Sequence, residues 1–397
     1  MKLAARTTRV GPSPTLQLTT TVKKMKADGI DVVNFAAGEP ACDTPDFVKW
    51  AAQEAMDAGF TKYTPVTGIE ELKEAIVEKF QRELGIHYER SQILVSCGAK
   101  HVLYNVFQAL CESGDEVIIP TPYWVSYPAQ VALSGAKAVF LQTEESSNYA
   151  IDPDALQACV SPRTKALILN SPCNPTGAIY DRKTLEAIAE VALRYDLVIV
   201  SDEIYEKMMY DGHQHLSIAS LDPEVAKRTV VVNGVSKTFA MTGWRIGYAA
   251  GPQPLVKAMG HIQSQSTSNP TSISQKAAVA ALKGPQDCIQ QMVEDLNQQR
   301  QFMVKRLNDL PSVQCDLPAG AFYAFPNIKG FLGRHHAHGV IQSPSDLANF
   351  LLAEGNVACV PGEPFGSHVH LRLSYTPHLD VIKQGMDHFE EAIQRLV

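Results

Sequence analysis

Seven short apolar, β-branched runs recur along the first two thirds of the chain: Ile93-Leu-Val95, Glu116-Val-Ile-Ile119, Ala138-Val-Phe-Leu141, Ala166-Leu-Ile-Leu169, Leu197-Val-Ile-Val200, Thr229-Val-Val-Val232 and Arg245-Ile-Gly-Tyr-Ala249. They are continuous rather than alternating, so each expects cover on both faces, as in a mostly parallel sheet sandwiched by helices. The segments between them agree: Ala99 to Leu110 and Leu185 to Leu193 carry apolar residues at helical spacing, although the Arg194-Tyr-Asp196 exit lacks the usual glycine stop. From about residue 286 the texture changes to a long polar helix over 290–307, strands at Phe322–Phe325 and His368–Leu373, and a closing amphipathic helix over 379–396. The expected fold is α/β, a seven-stranded, mostly parallel sheet over 46–285. A smaller α+β domain is expected from both chain ends, 1–45 and 286–397.

A length of 397 residues with 45% hydrophobic composition leaves room for a sizeable core. Net charge is −7 and Lys and Arg are dispersed, so nothing attracts nucleic acid or an anionic membrane, and small-molecule chemistry is expected. The eight cysteines are widely spaced without C-x-x-C, which reads as reduced, mostly buried thiols in a cytoplasmic protein. The first residues hold no apolar run of signal length, and no stretch approaches the ~18 apolar residues of a membrane span.

In an open α/β sheet, ligands gather beyond the carboxyl ends of the strands. Polar residues fall there repeatedly. The first run ends in Ser96-Cys-Gly-Ala-Lys100, where a helix start offers free N–H groups to an anion. The second leads to Pro120-Thr-Pro-Tyr-Trp124, an aromatic face for a flat ring. The fourth ends in the two-proline turn Asn170-Ser-Pro-Cys-Asn-Pro-Thr-Gly177, which can aim Asn174 at a ligand. The fifth ends in Ser201-Asp-Glu-Ile-Tyr205, whose Asp202 either caps the next helix or needs a cationic partner. The sixth is followed by Ser236-Lys237, with Arg245 eight residues beyond the lysine. A neutral lysine amine condenses with an aldehyde, and a hydroxyl beside a guanidinium holds a phosphate. An aldehyde and a phosphate together describe pyridoxal 5'-phosphate. Each feature alone also suits an ordinary turn, cap or core residue; the ordered series is what carries weight.

As an ordered set, these motifs resemble the class I aminotransferases of the fold type I pyridoxal-phosphate superfamily, and the resemblance covers nearly the whole chain. It adds Ala37-Gly-Glu-Pro40, Lys62-Tyr63, Gly243-Trp-Arg-Ile-Gly247 and Arg372-Leu-Ser-Tyr375. Tyr123-Trp-Val-Ser-Tyr127 and Phe239-Ala-Met-Thr-Gly243 look most like the bacterial and plastid-type aspartate aminotransferase subgroup. The resemblance implies that Lys237 bonds the cofactor aldehyde and then shuttles the proton. It implies that Asp202 pairs with the ring nitrogen, that Asn174 and Tyr205 hydrogen-bond the ring's 3'-oxygen, and that Trp124 stacks on the ring. The phosphate is assigned to Gly98, Ala99, Lys100, Ser236 and Arg245, with Tyr63 reaching across from a second subunit, which implies a homodimer with shared sites. Arg372 and Gly38 are assigned to the substrate α-carboxylate, Thr15 and Lys100 to a second carboxylate, with Trp124 and Asn174 also lining the substrate.

The implied reaction is transfer of an amino group between aspartate and 2-oxoglutarate. Prephenate is the rival acceptor, but relatives that take it usually carry a basic residue just before Pro-Ser, where this chain has Gly11. A lyase on the same fold and a transcription regulator with this fold as its effector part are the other classes; the regulator needs an appended DNA-binding module, whereas this chain begins almost directly with the N-terminal arm. Neither G-x-G-x-x-G after a strand nor a P-loop occurs. His335, His336 and His338, and His213 and His215, have no zinc spacing and are expected in solvated loops, with no metal.

Overall fold

The computed structural model describes residues 1–397. All seven predicted runs become strands of one sheet: β1 (Ile93–Ser96), β2 (Glu116–Thr121), β3 (Lys137–Gln142), β4 (Thr164–Asn170), β5 (Val198–Asp202), β6 (Thr229–Gly234) and β7 (Gly247–Ala250). The order across the sheet is β1-β7-β6-β5-β4-β2-β3, and only β7 runs antiparallel to its neighbours. Register then sets the site: Asn170 lies opposite Asp202, Gly234 opposite Gly247, and Ser96 opposite Gly247. The carboxyl ends of β1, β4, β5 and β6 therefore meet at one edge with the start of β7.

Helices cover both faces as the apolar runs require. The helix α1 (Ala99–Leu110) buries Val102, Leu103, Val106 and Phe107 in a core shared with β2 and β6, while α2 (Arg182–Arg194) buries Leu185 and Ile188 against the opposite face. Each fully buried side chain of this size contributes roughly 1.5–3 kcal/mol. The stop of α2 without glycine is explained by Asp196, which takes the left-handed conformation (φ 58°) while the Leu197 N–H donates back to the Ala192 carbonyl at 2.9 Å. Predicted and observed strands differ at Arg245. It also lies in the left-handed region (φ 58°), so the chain turns there and β7 starts two residues later.

The C-terminal third forms α3 (Asp287–Asn308), β8 (Tyr323–Ala324), β9 (Val360–Pro361), β10 (Leu371–Ser374) and α4 (Leu379–Ile393). The three strands make an antiparallel sheet in the order β9-β10-β8, and Val33–Asn34 pairs in parallel with Val357–Ala358. The strand expected over 368–373 is shorter, because Ser367 and His370 instead bond to each other (2.7 Å). No helix is long and apolar enough to cross a membrane.

Three sequence expectations need correction. His215 is not solvated: its Nε2 lies 2.8 Å from a carboxylate oxygen of Glu203, which is 1% exposed and forces the imidazole inward as its partner. Charge pairing between residues twelve apart on an irregular segment leaves no periodic trace. His335 and His336 pair with Gly339–Val340 in a small hairpin rather than an open loop. The cysteines are all free, but Cys42 and Cys288 are exposed and only Cys111, Cys315 and Cys359 fully buried.

Arg300 of α3 is completely buried, stacked over the Tyr210 ring, donating to the Pro318 carbonyl (2.7 Å) and to both Asp211 oxygens (2.7 and 2.8 Å). It ties α3 to the loop after β5. Asp211→Ala strands this guanidinium, and urea denaturation should show a loss of about 2–3 kcal/mol.

Candidate active site

A cavity of about 540 Å³ opens at the carboxyl edge of the large sheet. At its floor Asp202 ends β5. Its Oδ2 accepts a 2.7 Å hydrogen bond from the Tyr127 hydroxyl and its Oδ1 a 3.3 Å bond from the Ile204 N–H. Asn170 donates to the Asp202 carbonyl at 2.9 Å, so β4 steadies the same residue. Asp202 does not cap a helix; no helix follows it directly. Burial raises its carboxyl to about 6, against the opposing pull of the Tyr127 bond. Sequence reasoning missed Tyr127. It sits three residues beyond Trp124, within the Tyr123-Trp-Val-Ser-Tyr127 stretch, and the two rings meet edge to face at 5.3 Å.

Lys237 follows β6, and its Nζ points across the cavity to the Gly38 carbonyl at 2.5 Å. Burial lowers its amine to about 8, Arg372 and Arg245 pushing the same way while Glu39 and Asp202 oppose. Arg372 is 2% exposed on β10, its Nη1 donating to Asn174 Oδ1 (3.1 Å) and its Nη2 to the Ala36 carbonyl (2.9 Å). Arg372 lines the cavity, and its buried Nε has no partner. The ring of Tyr323 lies 4.4 Å beneath this guanidinium, and its hydroxyl is 2.9 Å from that of Tyr205. A side chain at Gly38 would press on the Tyr323 hydroxyl, so glycine is needed for this close approach. Tyr323 is a second residue that the sequence did not single out.

The start of α1 offers free N–H groups that suit an anion. Gly98 caps it with φ 91°, the His101 and Val102 N–H groups return to the Gly98 carbonyl, and those of Ala99 and Lys100 have no intrahelical partner. A Cβ at Gly98 would collide with the Arg245 guanidinium, and one at Gly247 with the Ala99 backbone. Arg245 itself is held by the Thr242 carbonyl (2.7 Å) and the Cys97 carbonyl (3.2 Å), remains exposed, and lines the cavity with Ser236. Lys100 places its Nζ 4.9 Å above the Trp124 ring; burial and Arg245 hold its amine below the ordinary lysine value. Thr15 reaches the cavity from the helix Pro14–Ala27, which also brings Lys23 and Lys26 to its wall. Of the predicted residues, all but Gly98 and Tyr63 line the cavity. Gly98 supports it from behind, and Tyr63 lies elsewhere, 91% exposed.

The model of the family "Aminotransferase class I and II" matches residues 30–389. This chain belongs to that family. It is similar to an aspartate aminotransferase of Geobacillus stearothermophilus, 48% identical over 98% of each chain. It is also similar to an aspartate/prephenate aminotransferase of Nitrosomonas europaea, 43% identical over 100% of this chain and 99% of the other. Among solved structures, the aspartate aminotransferase of Rhizobium meliloti superposes with a TM-score of 0.96 at 43% identity, each chain covered completely. This aminotransferase is therefore a transaminase with the mixed seven-stranded α/β architecture read from its sequence.

The raised Asp202 carboxyl gives this aminotransferase a pH signature. Between about 4 and 6 the folded, cofactor-free protein holds a proton that the unfolded chain releases, so stability is lost as pH rises through that window. Asp202→Asn removes the buried charge. At pH 8 the cofactor-free variant should be more stable than the parent by on the order of 3 kcal/mol, and the gap should close below about pH 4 in denaturant melts.

Proposed function

We propose that this aminotransferase uses pyridoxal 5'-phosphate to move an amino group between aspartate and 2-oxoglutarate. The observation that carries the reading is a single cavity holding a buried carboxylate, Asp202, a lysine lowered to about 8, Lys237, and two guanidiniums, Arg245 and Arg372. The residues fit the cofactor: a glycine-lined helix start beside Arg245 and Ser236 suits its phosphate, and the buried Asp202 suits a protonated ring nitrogen. Bound there, the cofactor supplies an aldehyde for the amino group and a ring that withdraws electrons. Asp202 would keep the proton on the ring nitrogen, Tyr205 and Asn174 would hydrogen-bond the ring's 3'-oxygen, and Trp124 would stack on the ring. Arg372 grips the α-carboxylate with its fork, helped by the backbone at Gly38. Lys237, uncharged above about pH 8, carries the proton away from the α-carbon and returns it on the other side of the reaction.

Thr15 and Lys100 meet the second carboxylate, and the names of the Geobacillus and Rhizobium relatives support aspartate as donor. The protein is read as a cytoplasmic homodimer in which Tyr63 completes the partner's phosphate site. Its division into 46–285 and the joined ends 1–45 and 286–397 is supported by the pairing of Val33–Asn34 with Val357–Ala358. Prephenate as acceptor is a second reading, favoured by the Nitrosomonas relative's name. Open space surrounds Gly11, so a basic side chain fits there, and Gly11→Lys should shift acceptor preference toward prephenate in competition assays.

Purified protein should be yellow and its visible band should titrate with pH; Lys237→Ala should lose both the band and turnover, and retained turnover would overturn the reading. Lys100→Ala should raise KM for aspartate and glutamate at least tenfold more than for alanine, since a charged hydrogen bond contributes about 1.5–3 kcal/mol. An equal loss on all three donors would remove Lys100 from substrate choice.

A further inference from the structure

Residues 60–69 form an irregular loop held by side chains from elsewhere as well as by backbone–backbone bonds. The Gln275 carbonyl accepts the Ile69 N–H at 2.8 Å, while its amide donates to the Thr64 hydroxyl and to the Pro270 carbonyl, both at 3.0 Å. The Gln263 amide donates to the Val66 carbonyl at 2.7 Å and to the Val95 carbonyl at 2.8 Å. Its own carbonyl accepts from Ser96 (2.5 Å) and Asn105 (3.0 Å). Ser272 bonds the Phe60 carbonyl, and the Val95 N–H bonds the Thr67 carbonyl, each at 3.0 Å. At Gly68 (φ 103°) a Cβ would run into Val95, so the loop is pressed directly onto β1.

Gln263, Gln275, Ser96 and Asn105 are all 0% exposed. Burying four such groups is unfavourable unless their hydrogen bonds are made, and here only Asn105 Oδ1 lacks a partner; an apolar core would hold a passive loop as well. What this brace carries is Tyr63, a large aromatic residue left 91% exposed on a rigid support next to Thr64. Gln263 also accepts from Ser96, the residue before the Cys97–Lys100 turn, where the helix start offers free N–H groups. One amide thus ties the loop that points outward to the strand end that serves the cavity within. The exposed Arg245 leaves that cavity open on one side in a single chain.

We propose that Gln275, backed by Gln263, is a positioning residue that holds the Thr64 side of the loop so that Tyr63 is delivered to the phosphate cradle of a second copy of this chain. The proposal rests on the reading of Tyr63 given under the proposed function, and its test separates the two. Dimeric protein is stripped of cofactor and retitrated with pyridoxal 5'-phosphate and with pyridoxal, which lacks the phosphate. Tyr63→Phe should weaken pyridoxal 5'-phosphate binding about tenfold, the size of one lost hydrogen bond to a charged group, and leave pyridoxal unchanged. Gln275→Met should do the same in part, about three- to tenfold, and Thr64→Val, which removes only the hydroxyl that Gln275 holds, should follow it with an unchanged melting temperature.

The deciding measurement is the double-mutant cycle. In a Tyr63→Phe background Thr64→Val and Gln275→Met should cost less than about twofold in affinity, because the residue they position no longer bonds the phosphate. If the losses multiply in full, or if both variants weaken pyridoxal equally, the brace is merely structural and the inference falls while the role of Tyr63 stands. If Tyr63→Phe binds pyridoxal 5'-phosphate like the parent, the cross-subunit reading itself falls and the inference with it.

Discussion

A carboxylate buried at the end of a parallel strand is the constraint on which the rest of the site depends. Asp202 has no cation of its own within the chain; the Tyr127 hydroxyl, the Ile204 N–H and the distant Lys237 offset only part of its desolvation, and its carboxyl stays at about 6. A group held in this condition is costly to the fold and valuable to a cationic ligand, since binding one relieves the penalty. The sheet makes that position possible: the parallel neighbours β4 and β6 grip β5 on both sides, so the end of the strand is as fixed as its middle.

The next neighbour, Glu203, shows the contrasting solution. It is equally buried but receives His215, Ser201 and Ser217, and its carboxyl is held below the ordinary value. Adjacent acids on one chain therefore part in role, one closed off by internal partners and one left open toward the cavity. The cations divide in a similar way. Arg300 is sealed by Asp211 and the Pro318 carbonyl, whereas Arg372 keeps an unpartnered Nε and Arg245 stays exposed at the cradle.

Arg372 also explains why the chain ends must fold onto the sheet. Its two terminal nitrogens bind the Ala36 carbonyl from the N-terminal segment and Asn174 from the loop after β4, so three remote pieces of sequence meet at one guanidinium. Lys237 reaching the Gly38 carbonyl adds a fourth. A cavity assembled in this manner has its amine, carboxylate and guanidiniums oriented by the fold itself, which is the electrostatic arrangement that transfers of this kind require.

The sequence by itself determined the sheet, because continuous apolar runs of strand length have no stable alternative to burial on both faces, and six of the seven run in parallel as that reasoning expects. It also determined which strand ends carry polar residues, and so pointed to Asn174, Asp202, Lys237 and Arg245 in advance, whereas Arg372 came from the family resemblance alone. What only the tertiary structure decided was pairing across distance. Nothing in the sequence gives Tyr127 or Tyr323 a role in the site, and their hydroxyls matter only because Asp202 and Tyr205 stand within 2.7 and 2.9 Å of them. His215 looked solvated until Glu203 drew it inward, and the glutamines beneath Tyr63 lie in helical segments whose pattern says nothing of the loop they hold. Periodicity reports which face of an element is buried; the partner of a buried polar group is set by where the chain returns, and that information exists only once the chain has folded.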